Sequence, residues 1–338
     1  MRKVPRRPAG LAPRGKRGLA RGAAARQRLA ALLLCAAVSA SAAWADPPAL
    51  PSADEDTIEG VVVTAPEPRY VAPTRVDRIG RIWVPVFIND KGPFRLVLDT
   101  GASQSAIRQE VALALGAQLP SNHQVVLHGT TGTRTVDAIA VQSLVVGDLN
   151  LAGRLLPIVQ DALGGAEGVM GTEGLLEQRI RIEFLQDRIS VQRSHGEPAP
   201  AGFVTVPLRI VDGLLVVEGA RVGGIATRVI IDTGGRGSVA NTALQRALRR
   251  RARPEEANGS EVTGATLDTQ IGDRMLLPEM TLGALRISPV EVTVGDFYIF
   301  RHWNLTQTPT LLLGMDVLGL VDTLIIDYRR RELQVRTN

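Results

Sequence analysis

Leu96-Val97-Leu98-Asp99-Thr100-Gly101-Ala102-Ser103, and far along the same chain Val229-Ile230-Ile231-Asp232-Thr233-Gly234-Gly235-Arg236, are the stretches on which the fold turns. In each, three apolar residues that suit a buried strand run into Asp-Thr-Gly. Glycine there lets the backbone bend sharply and brings N–H groups toward the aspartate. One such tripeptide is an ordinary turn, but here its surroundings recur as well.

Working outward, residues 82–88 predict a strand, Asn89-Asp90-Lys91-Gly92 a turn, and 94–98 a second strand ending at Asp99. The same order, 214–217, Gly223-Gly224 and 228–231, leads into Asp232. Downstream, 105–115 predicts a helix closed by Gly116, and 238–253 a helix with arginines in its last turns. Each copy then has a turn-rich hairpin, near 128–133 and near 263–267, and a matching Val146-Gly147 or Leu282-Gly283. Two apolar residues precede a glycine in both, at Val169-Met170-Gly171 and Leu312-Leu313-Gly314. Gly171 follows Asp99 by 72 residues and Gly314 follows Asp232 by 82. Each copy closes on a strand pair, 180–184 with 188–192 and 324–328 with 332–335.

Such a repeat predicts an all-β chain of two related lobes with a few short helices and a cleft between them. The 338 residues give room for two cores. The expected layout is a leader over 1–45, a flexible approach segment rich in Pro, Ala and acid over 46–74, a first lobe over 75–192, a linker over 193–202 and a second lobe over 203–338.

A hydrophobic share of 45% and a charged share of 22% exclude a largely disordered chain. The net charge of +5 is unevenly spread: ten of the 39 Lys and Arg fall in 1–45 with no acid, which leaves 29 bases against 34 acids. A nucleic-acid partner is therefore not expected. The leader has an Arg-rich start, an apolar stretch over 29–38 and Ala43-Trp44-Ala45, the layout of a secretory signal cut after Ala45. The alternative, a membrane anchor, is disfavoured because that stretch is well short of the ~20 residues needed to span. No later run is long and apolar enough, so the mature chain is expected to lack a transmembrane segment and to be periplasmic or secreted. Cys35, the one cysteine, lies within the leader behind the bulky Leu34, a poor lipidation signal.

Two Asp-Thr-Gly loops meeting across a pseudo-twofold axis would hold two carboxyls in contact. Like charges that close cannot both ionise, so the pair shares one proton and offers an acid and a base together. That suits amide hydrolysis by an activated water, without a metal, another cofactor or a covalent nucleophile. His123, His128, His195 and His302 have no metal-ligand spacing, and no Gly-x-Ser-x-Gly occurs.

At these residues the chain resembles the aspartic peptidase clan of pepsins and retropepsins, and within it the bacterial single-chain forms with duplicated retropepsin-like halves. The resemblance spans about 81–336. It implies two β-barrel lobes, catalytic aspartates Asp99 and Asp232, interlocking threonines Thr100 and Thr233 beside Gly101 and Gly234, and glycines Gly171 and Gly314 packed behind the loops. It also implies that Gly129, Thr130, Thr131 and Gly132 form a flap over an extended polypeptide substrate, and that one chain is a complete monomeric enzyme. The second loop departs from the family pattern at Gly235 and Arg236. An Arg236 side chain facing the pair would favour the doubly ionised form and remove the acid; facing solvent, it would do nothing. Hence the alternative of a catalytically silent periplasmic peptide-binding protein on the same fold. Phe297, Tyr298, Phe300 and Trp303 read either as core packing or as an apolar wall of the cleft, with Phe297, Tyr298 and Trp303 as substrate-binding candidates. His128 reads either as a solvated loop residue or as a substrate contact.

Overall fold

Asn89 and Asp90 both take left-handed backbone angles, with φ of 49° and 61°, which closes a tight hairpin between strands Trp83–Ile88 and Lys91–Leu98. The computed structural model describes residues 71–73, 82–160, 164–249 and 259–337. Burial alternates residue by residue along Trp83–Ile88, as expected for a strand with one face on a core. In Lys91–Leu98 burial becomes continuous over Leu96, Val97 and Leu98, where the strand enters the centre of the lobe.

There Lys91–Leu98 runs parallel to Gly168–Met170, with Leu98 opposite Met170, and Gly168–Met170 is antiparallel to Ala106–Arg108. Ala106–Arg108 continues onto Leu149–Val159, then Thr133–Val146, whose Val145 returns to Phe87. Six strands thus close into a barrel. The second lobe repeats the pattern: Arg228–Ile231 parallel to Thr310–Leu313, this antiparallel to Val239–Ala240, and that parallel to Val290–Val294. The result is an all-β chain with two related lobes and short helices.

The helices expected over 105–115 and 238–253 begin later. Ala106–Arg108 and Val239–Ala240 are strands, followed by helices Gln109–Ala114 and Thr242–Arg249. Local propensity allows a helix at both places, but the ladder to the glycine strand claims these residues first. Asn241 caps the second helix, its side-chain oxygen accepting the Leu244 N–H at 3.0 Å.

Beneath both lobes lies a shared sheet. Gln178–Glu183 of the first copy pairs with Thr323–Asp327 of the second, Ile182 opposite Leu324 and Arg179 opposite Asp327. Arg188–Arg193 and Glu332–Arg336 flank them. Val71–Pro73, at the end of the span read as a flexible approach, is a strand on Arg188–Arg193; the rest of that span and the leader lie outside the described residues. A buried ion pair pins the junction: Arg179 meets Asp327 at 2.5 Å, and Ser194 donates its hydroxyl to the same carboxylate at 2.9 Å.

Candidate active site

Asp99 and Asp232 directly follow their strands, on backbone bonds that place them at equivalent points, Asp99 N–H to the Met170 carbonyl at 2.9 Å and Asp232 N–H to the Leu313 carbonyl at 3.0 Å. The next residues lock the lobes together. Thr100 donates its N–H to the Thr233 hydroxyl, and Thr233 its N–H to the Thr100 hydroxyl, both at 3.1 Å. Each hydroxyl donates in turn across the lobes, Thr100 to the Ile231 carbonyl and Thr233 to the Leu98 carbonyl, both at 2.7 Å. Both threonines are fully buried, so these groups depend on this reciprocal network for their hydrogen bonds.

The glycines then serve the carboxylates. Gly101 N–H donates to Asp99 Oδ1 at 2.8 Å, while Gly234 and Gly235 N–H both donate to Asp232 Oδ1, at 3.1 and 3.0 Å. A Cβ on Gly101 would stand 2.9 Å from Asp232 Oδ1, and one on Gly234 would collide with the Asp99 carboxyl, so each glycine faces the opposite aspartate. The two carboxyls are hydrogen-bonded to each other. Burial first, and the Asp99 charge second, push the Asp232 carboxyl up to about 7. The residue as a whole keeps a little accessible surface, but its carboxyl lies deep among protein atoms, and those surroundings govern its proton affinity.

Gly171 and Gly314 sit behind the loops: a Cβ on Gly171 would approach the Gln104 carbonyl oxygen to 2.7 Å, and one on Gly314 the Gly237 carbonyl oxygen to 2.8 Å. Their N–H groups donate to the hydroxyls of Ser105 and Ser238, at 3.1 and 3.0 Å. Ser105 N–H is held by Glu173 at 2.6 Å and Ser238 N–H by Asp316 at 2.9 Å. Sequence reasoning passed over these four residues. The signal was there, since both serines lie six residues after their aspartate and both acids two residues after their glycine. Arg236 is exposed to solvent, and neither Ala102 nor Gly235 has a hydroxyl to offer the pair.

Gly129, Thr130, Thr131 and Gly132 form the tip of the hairpin His123–His128 with Thr133–Val146. The corresponding hairpin of the second copy, Gly259–Thr263 with Thr269–Leu277, comes to meet it. Thr131 donates its hydroxyl to the Asp268 carbonyl at 2.6 Å and accepts the Gly264 N–H at 3.1 Å. A Cβ on Gly129 would stand 3.1 Å from Thr266, so the glycine lets the tips touch. The second tip was visible in the sequence only as a hairpin.

Phe297 is 1% exposed and packs with Phe300, Ile230, Val239 and Leu312 inside the second lobe, which settles it as core rather than cleft wall. Trp303 is half-buried against the same cluster. Tyr298, half-buried, sits at the first hairpin, its hydroxyl 2.7 Å from His128 Nδ1. Among the described residues no group of three or more His, Cys, Asp or Glu is placed to hold a metal ion.

A family model described as Aspartyl protease matches the chain in two segments, residues 84–174 and 219–317, together more than half its length. Each segment holds one Asp-Thr-Gly and its later glycine. Among curated proteins, none matches the chain.

Proposed function

The chain belongs to the aspartyl protease family, and we propose that it is an exported endopeptidase in which Asp99 and Asp232 activate water for attack on a peptide bond. The observation that carries this reading is the approach of the two carboxyls at the join of the lobes, an oxygen of each lying within 3.2 Å of the place a Gly101 Cβ would take; burial and the other's charge raise the proton affinity of Asp232 there. The ionised carboxylate takes a proton from the water as its oxygen bonds to the peptide carbonyl carbon; the protonated one donates to the carbonyl oxygen. The tetrahedral intermediate then collapses as the amine leaves with a proton from one carboxyl and the other takes back the proton given to the carbonyl oxygen, so the pair returns to one shared proton.

The substrate on this reading is an extended polypeptide laid between the aspartates and the hairpin tips, and Gly129–Gly132 backbone groups would pair with it. A single chain suffices because both aspartates are encoded in it, so the enzyme works as a monomer. Export rests on the leader, with Ala45 as the cleavage point and the periplasm or medium as destination. The exposure of Arg236 weighs against one of the two features behind the alternative of a silent peptide binder, the other being the missing hydroxyl at Gly235.

Denatured casein should be cut by the purified mature chain. Asp99→Asn and Asp232→Asn should each lose nearly all cleavage, with the double variant scarcely worse, because the two carboxyls act as one unit. Full activity in either single variant would end the reading.

A further inference from the structure

The second copy exceeds the first by ten residues between aspartate and glycine, and eight of these fall just ahead of the glycine, where they have a visible use. In the first lobe Val97 and Val169, two residues before Asp99 and Gly171, share a cluster with Leu127 of the hairpin strand. That cluster therefore lies between the catalytic floor and the roof. Its counterpart in the second lobe, around Ile230 and Leu312, is covered by Phe297, Ile299, Phe300 and Leu305, from the helix Tyr298–His302 and its flanks. This helix reaches across to the other lobe's hairpin. Ile299 N–H donates to the Thr130 carbonyl at 3.1 Å. The His128 and His302 rings stack with centroids 4.2 Å apart and planes 17° from parallel, and Tyr298 bonds His128.

We propose that segment 297–305 is a latch that holds the first hairpin shut across the paired aspartates, and that protonation of the stacked imidazoles His128 and His302 releases it to admit substrate. That the admitted molecule is a peptide rests on the function proposed above. The latch is built in two unequal parts. Phe297 and Phe300, at 1% and 0% exposure, anchor the helix permanently in the second lobe. The part that crosses to the hairpin consists of one backbone bond, one side-chain bond and the stacking of the His302 and Tyr298 rings on His128, where solvent reaches both histidines. Parting there costs little.

One proton on the pair is tolerated, because the stack then holds a single charge and a His128 Nδ1–H can donate to the Tyr298 hydroxyl. A second proton puts two positive charges on rings 4.2 Å apart. Among the described residues no other charged group is hydrogen-bonded to either ring, and His302 is the one charge that shifts His128. Asp268, on the second hairpin, lies against Gly132; Asp296 holds Thr242; Arg301 donates to the Asp296 carbonyl; Arg134, across the hairpin, donates to Gln160. Burial first, and the His302 charge second, lower the proton affinity of His128 below its ordinary 6.5. The sign follows: the closed form binds fewer protons than the open one, so it is fully favoured above pH 6.5 and loses ground as pH falls below it.

Hydrogen exchange at the Ile299 and Gly264 amides, whose acceptors Thr130 and Thr131 are on the hairpin, tests this without any need for catalysis. After correction for intrinsic exchange, protection in the wild-type chain should fall roughly fivefold or more from pH 7.5 to pH 5, the equivalent of losing about one modest bond. Tyr298→Phe and His302→Asn should each show the reduced protection already at pH 7.5, with a flattened pH dependence and an unchanged urea midpoint. Protection in the wild type that ignores pH overturns the latch, as does wild-type behaviour in both variants. A fluorescein-labelled casein peptide mixed with Asp99→Asn supplies the second arm, its association quickening at pH 5 and, in the Tyr298→Phe background, at both pH values. Loss of that peptide binding with the exchange pattern intact would sink the peptidase reading and leave the latch standing.

Discussion

Asp232→Asn should leave the chain without activity and make it more stable, by an amount that depends on pH in a defined way. In the folded chain the Asp232 carboxyl is held up to about 7 against 3.8 for a free one, by burial first and the Asp99 charge second. Such a group favours folding at pH values below its unfolded value and loses that contribution as pH rises through its folded one. Three units or so of shift correspond to roughly 4 kcal/mol withdrawn between pH 4 and pH 7. Asparagine mimics the protonated aspartate: its oxygen can accept from Gly234 and Gly235 N–H, and its amide can donate to Asp99, with nothing to ionise.

Urea unfolding followed by tryptophan fluorescence would read the difference. At pH 3.5 the wild type and variant should agree to within about 1 kcal/mol; the variant should then gain about 1.4 kcal/mol per pH unit and level off above pH 7. Asp99 loses its like-charged neighbour in the variant as well, which acts in the same direction. Parallel stability curves across pH 4 to 8 would refute the claim that these carboxyls are jointly buried.

Thr233→Val keeps the shape of the side chain but strands the Thr100 N–H and the Leu98 carbonyl in a buried place, and should cost about 2–5 kcal/mol with loss of casein cleavage. A chain that keeps its urea midpoint would mean the threonine network does not hold the lobes. Asp327→Ala removes the partner of a buried Arg179 and should cost about 3–5 kcal/mol, whereas Arg179→Met with Asp327→Leu should recover most of it. Equal losses in the single and double variants would count against that account.

What the sequence made legible was whatever is local or repeated. The turns, the apolar strands into Asp99 and Asp232, and the glycines behind them are set by neighbours in the chain, and duplication offered each reading twice. The helix starts were misread because Ala106 and Val239 suit either structure, and the deciding partners, Val169 and Leu312, are more than sixty residues away. Distance hid the second hairpin's role too, since Thr131 and Asp268 meet across 137 residues. Phe297 and Tyr298 are adjacent and equally aromatic, yet one is core and the other reaches His128; no spacing rule tells such neighbours apart until the helix has a partner to face.

The two copies are tied at three heights, and the ties differ in kind. At the base, Arg179 and Asp327 sit at 8% and 0% side-chain exposure within a continuous sheet. At mid-height the threonine network is wholly buried and reciprocal, so no part of it yields without stranding another. At the top, the hairpin tips and the helix meet through a handful of hydrogen bonds and a ring stack, partly in reach of solvent. Opening free energies follow buried contact, so the top should part many times for each disturbance of the middle. A cleft that opens from above while its floor stays fixed lets a long substrate enter without moving Asp99 relative to Asp232. On the proposed function, their contact and the shared proton that depends on it would then survive every cycle of entry and release. Duplication within one chain makes the asymmetry affordable: one copy could grow a helix over its half of the cleft while the other kept the shorter form, which identical halves could not do.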